Sequence, residues 1–150
     1  MEPKTVRIVY WLTTLLFVVP QMWSAVQMLT EAPRMAATLH HLGYPDYFMT
    51  GLGVAKVLGA SAIVLGLSRG LKEWAYAGFT FDTVGAFVSH LSAGDSLGTC
   101  AVPLAFLLVQ LVSYALWKRL GSPLPTAAVR KLPEVDSHAH DHPGIARRPL

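Results

Sequence analysis

The sequence predicts an all-α fold: a four-helix transmembrane bundle with a short interfacial helix between spans 1 and 2 and a disordered C-terminal tail. Three observations lead there. Hydrophobic residues are 53% of the 150 residues and charged residues 14%, against about 45–50% and about 25% in soluble domains. The apolar residues gather into four runs of roughly the 20 residues a helix needs to cross the hydrocarbon core. Lys and Arg fall almost entirely on one side of those runs. A mean hydropathy of +0.43 leaves too few polar side chains to cover a soluble globule, and the composition excludes a disordered chain, a coiled coil and a disulfide-stapled module. The net charge of +3 is dispersed rather than clustered, so the expected partner is the lipid bilayer and not nucleic acid.

The first span runs from Ile8 to about Leu29, with Pro20 expected to kink or locally unwind it. This stretch is longer than the apolar region of a secretory signal and has no clean small-x-small site, so an uncleaved helix is expected. Between Thr30 and Asp46, Met35, Ala36, Leu39 and Leu42 recur at helical spacing beside Arg34, His40 and His41, the pattern of a short amphipathic helix on the membrane surface. The second span covers about Tyr47 to Leu67 and carries Lys56. Ser68 to Glu73 reads as the connection to a third span, Trp74 to Leu91, which carries Asp82. The fourth, about Cys100 to Trp117, holds Pro103 in its first turn and Gln110 at its centre. Residues 1–120 thus form the membrane domain. From Gly121 the chain is rich in proline and mixed charge without apolar period, a disordered cytoplasmic tail by composition.

Orientation follows from ten Lys and Arg residues on the side of the termini against Arg34 alone on the other, which places both termini in the cytoplasm. Trp11, Trp74 and Trp117 near the inner boundary, and Tyr44 and Tyr47 near the outer one, agree with it.

The residues that carry chemistry are those that do not belong in oil. At about 1.5 Å per residue, Lys56 and Asp82 both lie roughly 14 Å from the outer ends of their spans, with Gln110 at about 15 Å and Gln21 at about 12 Å. An ion at the bilayer centre costs about 2.5–3.5 kcal/mol. Opposite sign and equal depth therefore predict a buried Lys56–Asp82 pair inside the bundle. Gly78, Asp82, Gly85 and Ser89 share one face; Gly53, Lys56, Gly59 and Ala60 share another; and Gly51, Ala55 and Gly59 form a small-residue ridge. Gln110, Ser113 and Tyr114 share a face of the last span. Lys56, Asp82, Gln21, Gln110 and Tyr114 are accordingly the expected lining of a polar midplane cavity that binds a small molecule or relays protons. The plain alternative is a structural ion pair fixing helix register.

Near the outer face stand His41, His90 and Asp95, with His40 and Cys100. They are outer-face site candidates, but adjacent His40 and His41 point about 100° apart on a helix, and a histidine at a helix end more often makes interfacial hydrogen bonds. No metal or haem site is expected. Cys100 is the single cysteine, so a dithiol cycle would need a partner protein. His138, His140 and His142 of the tail alternate in an extended chain and would chelate only adventitiously. No phosphate loop, nucleophile elbow or paired carboxylates support a phosphotransferase or hydrolase.

Leu42-Gly43-Tyr44-Pro45 followed by Gly51-Leu52-Gly53-Val54-Ala55-Lys56-Val57-Leu58-Gly59-Ala60 resembles the DoxX-like family. So do Leu71-Lys72-Glu73-Trp74-Ala75-Tyr76-Ala77-Gly78-Phe79, Phe81-Asp82 and Gly85-Ala86 ahead of Ser89-His90-Leu91, within a likeness that spans roughly Tyr10 to Trp117. The resemblance implies a four-helix bacterial inner-membrane protein, in a group linked to membrane oxidoreductase complexes, and carries over no catalytic residue. The sequence then supports an accessory subunit that binds a small lipophilic molecule, of which a quinone is one, and docks a membrane redox partner. Two alternatives remain open: a membrane oxidoreductase or isomerase using Lys56 and Asp82 as acid and base, and a small transporter acting as a homo-oligomer.

Overall fold

The computed structural model describes residues 3–121; the expected tail, with its three alternate histidines, lies outside the described residues. Five helices follow one another: α1 Pro3–Leu29, α2 Pro33–His41, α3 Asp46–Leu65, α4 Arg69–Ser92 and α5 Leu97–Gly121. No strand occurs among the described residues. The four long helices close a ring in which α1 and α4 each pack against both α3 and α5, while α2 lies on α1 and α3 at one end.

Three of the helices, α1, α3 and α5, are long and apolar enough to cross a membrane. Helix α4 has the length, but Asp82, His90 and several hydroxyl residues hold its hydropathy below that of the other three. The helices are also longer than the apolar runs. Helix α4 begins at Arg69, so the expected connection at Ser68–Glu73 is mostly its first turn, and α5 begins at Leu97, which moves Pro103 from the first turn to the interior. Helix α1 continues through Pro20 without the expected unwinding. The turn before it is anchored in the core, with Phe17 and Val18 buried, and that packing outweighs the lost hydrogen bond.

Local sequence sets the ends. Gly66 takes φ +61° and closes α3 with its N–H on the Ala62 carbonyl, a left-handed position in which a side chain would be strained. Two residues later Ser68 starts α4, its Oγ accepting from the Leu71 N–H at 3.1 Å. So short a connection forces α3 and α4 to run antiparallel.

The interior is layered. Phe17 of α1 meets Phe79 of α4 edge to face across the ring, 5.0 Å between centroids, with Val18, Ala60, Ile63 and Tyr76 around them. At the α2 end Leu39 is clamped between Met28 and Met49. The outward faces carry Ile8, Leu12, Leu16, Leu58, Leu65 and Leu108, all exposed, the arrangement of helices solvated by lipid tails.

The small-residue ridge is used differently from its sequence spacing. Gly51 has nothing within 4 Å of where a Cβ would sit and Ala55 is exposed. Gly53 instead admits Met28 and Leu29 of α1, and Gly59 admits Phe79, whose ring would stand 2.9 Å from an added Cβ. Phe79 is itself buried and cannot yield. Gly59→Leu is therefore expected to lower stability by about 1–3 kcal/mol, measured as thermal unfolding in detergent, whereas Gly51→Leu, in open space, should leave it level or raise it by the helix preference gained, about 0.5–1 kcal/mol.

Candidate functional site

The site is a cleft of about 640 Å³ that all five helices line. It extends from α2, where Met35, Thr38 and Leu39 form its roof, to Lys56, Asp82 and Gln21 at its floor. From Asp82 to the end of α4 is about 15 Å along the helix. Its walls are mostly apolar, Phe48, Leu52, Phe81 and Phe106 among them, and Gly78 and Gly85 leave the α4 side open. Both volume and character fall in the range of small-molecule sites.

The floor carries the expected pair. Lys56 Nζ donates to Asp82 Oδ2 at 2.6 Å and to Gln21 Oε1 at 2.7 Å. The side chains of Lys56 and Asp82 are 7% and 14% exposed, so the ions are shielded from lipid yet border the cleft. The lysine is able to sit there because Gly53, one turn earlier, lets α3 approach α1 closely enough for Gln21 to reach it. Three donors on Nζ less two protein acceptors leave one N–H, and Asp82 Oδ1 has no partner among the described residues. The floor thus keeps one donor and one acceptor for something else.

Gln110 and Tyr114 are not part of this lining, contrary to the expectation from depth. Gln110 is 1% exposed and its Nε2 donates to the Tyr76 carbonyl and to Thr80 Oγ1, both at 2.7 Å. Thr80 in turn donates to that same carbonyl, which leaves its oxygen free to accept and fixes the amide's orientation. Gln110 Oε1 is buried with no partner among the described residues. Tyr114 packs on Tyr76 and Trp117. Gln110 ties α5 to α4 instead of reaching α3, because the two helices turn that face toward each other.

The outer-face candidates do meet. Asp95, in the connection between α4 and α5, accepts from His90 Nδ1 at 2.6 Å and from His41 Nε2 at 2.9 Å. One carboxylate therefore clasps α2 to α4, and His90, whose Nε2 remains for other contacts, also borders the cleft. His40 faces away and pairs with Asp46, as the 100° offset requires. The Cys100 thiol lies 3.8 Å from the Asp95 carbonyl and is buried. No group of three His, Cys, Asp or Glu residues able to hold a metal ion occurs among the described residues.

The two imidazoles, His90 first, hold the Asp95 carboxyl below its ordinary range. A lowered carboxyl stabilises the fold above its unfolded value of about 3.9, and that support is lost as pH falls through the lowered folded value. Between pH 5 and 3 the melting temperature should fall more steeply for the wild-type protein than for Asp95→Asn; parallel acid limbs would show that the clasp contributes nothing.

Two polar features have no counterpart among the sequence expectations. Lys72, in the segment that reads as a connection, is buried and donates to the Tyr10 hydroxyl at 2.7 Å. Thr14, Ser113 and Tyr76 join three helices through hydroxyl contacts of 2.7 and 2.8 Å. Ser113 shares the Gln110 face by spacing, but no spacing rule links it to Thr14, 99 residues earlier.

Apolar helices ringed about a cleft with ions at its floor define a helical membrane protein. The chain belongs to the DoxX-like family, whose family model matches residues 12–113, more than half of its length. No curated protein and no solved structure matches it.

Proposed function

We propose that this DoxX-like protein crosses the bacterial inner membrane four times, both termini cytoplasmic, and binds a small lipophilic carbonyl compound of the quinone type in the cleft. The observation that carries the reading is the unspent hydrogen-bonding capacity at the floor of an otherwise apolar cavity. The remaining Lys56 N–H suits the carbonyl oxygen of a quinone, and Asp82 Oδ1 suits the hydroxyl of the corresponding quinol, so either form finds a partner. The phenyl and aliphatic walls suit a ring and a short tail. Matched depth of Lys56 and Asp82 supports α4 as the fourth span, since a paired aspartate costs far less in a bilayer than a lone one. With the ions bonded to each other, the site fits binding better than acid–base chemistry, and the protein serves as an accessory subunit beside a membrane redox partner.

The test is thermal unfolding of the detergent-purified protein with short-chain benzo- and naphthoquinones, their quinols, and a hydrocarbon analogue lacking oxygen. Ligand at about one hundred times Kd stabilises by about 2.7 kcal/mol, so melting should rise with quinone and quinol but not with the hydrocarbon. Flat curves across the set would end the proposal.

A further inference from the structure

A second cavity, of about 500 Å³, lies at the opposite end of the molecule, where α1 and α4 begin and α3 and α5 end. Three cations border it, Lys4, Arg7 and Lys72, beside Tyr10, Trp11 and Trp117. Lys72 is 6% exposed. Among the described residues its ammonium has only neutral company: the Tyr10 hydroxyl at 2.7 Å, and the Tyr10 and Trp117 rings at 5.3 Å each. Ring faces attract a cation but do not neutralise it, and two of the three Nζ donors have no acceptor among the described residues.

Of the other charges at this end, three have partners and Arg119 stands outside the cavity lining. Glu73 pairs with Lys118, and Arg69 donates to the Gly121 carbonyl. Lys4 and Arg7, one turn apart on α1, have no carboxylate partner among the described residues. The cavity therefore concentrates three positive charges around space that nothing described fills. Burying an ammonium without a counter-charge is costly, and a bound anion removes that cost.

We infer that this cavity is a binding site for a phosphate-bearing anion. The guanidinium of Arg7 matches two phosphate oxygens in one plane, and Lys72 meets the oxyanion from the interior. Trp11 and Trp117 border it, and tryptophan is a side chain that settles at the level of lipid headgroups. The same oxyanion chemistry is presented by an anionic phospholipid and by free phosphate. The site is separate from the cleft and stands whether or not a quinone binds there.

The test reconstitutes the full chain in nanodiscs of phosphatidylcholine and titrates phosphatidylglycerol into them, reading the melting temperature. A parallel arm keeps phosphatidylcholine alone and adds inorganic phosphate against chloride at equal ionic strength. Wild-type protein should melt higher with one of the two phosphates, and the arm that responds identifies the source. Lys4→Gln with Arg7→Gln, both exposed and outside the packed core, should weaken the response about 30-fold while leaving melting in phosphatidylcholine unchanged. Lys72→Arg should retain the response, and Arg119→Gln, at the same end but outside the cavity, should not diminish it. No response in either arm would overturn the site, as would a response that survives the double replacement or falls equally with Arg119→Gln.

Discussion

Lys56→Leu is expected to destabilise the protein by about 3–5 kcal/mol, the cost of leaving one member of a buried ion pair alone. The substitution removes the only described partner of the Asp82 carboxylate and of Gln21 Oε1 at once. The double variant Lys56→Leu/Asp82→Leu removes both charges and should recover most of that loss, because apolar isosteres of a buried pair are often neutral or better. Thermal unfolding in detergent, with both single variants and the double variant in one cycle, measures the coupling. The same proteins separate structure from binding: a double variant that folds yet no longer responds to quinone places the ligand at the floor, and one that folds and responds normally removes the floor from the site.

Filling the cleft should have the second large effect. Gly78 and Gly85 both line it, and neither has an atom within 4 Å of the point where a Cβ would stand. Gly78→Leu with Gly85→Leu therefore adds bulk into open space, and each change gains about 0.5–1 kcal/mol of helix preference. Melting without ligand should stay level or rise, and the quinone-dependent rise should disappear, a loss of at least about tenfold in apparent affinity at 1.4 kcal/mol per decade. Gly59→Leu, a change of the same type on α3, should act in the opposite sense because Phe79 already occupies that space. If the doubly filled cleft still binds quinone with full affinity, the ligand sits elsewhere.

Much of this is legible in the amino-acid order, and the boundary of legibility has a physical cause. Five helices in order, the amphipathic α2 and the connections containing Gly43 and Gly94 follow from apolar runs and turn residues, because these signals are local. The Lys56–Asp82 pair is legible for a related reason. A helix converts residue number into depth at a constant rise, and two opposite charges at one depth in oil have little choice but to meet. The Asp95 clasp is visible only as a group of candidates, since its two histidines lie 54 and 5 residues away.

Depth, however, is one coordinate of two. Gln21 and Gln110 have nearly equal depth, yet only Gln21 reaches Lys56; Gln110 is turned onto the Tyr76 carbonyl and Thr80. Rotation of each helix about its own axis decides that, and the rotation is set by contacts between distant segments: Phe17 on Phe79, Leu29 against Gly53, Thr14 with Ser113. Lys72 shows the same limit at the other end, where its burial depends on α1 and α5 bringing Tyr10 and Trp117 to it. The order of residues settles which segments are helices, which are apolar and at what level the ions lie. The assembled bundle settles which polar groups share a cavity, because a helix's azimuth is chosen by its neighbours and not by its own residues.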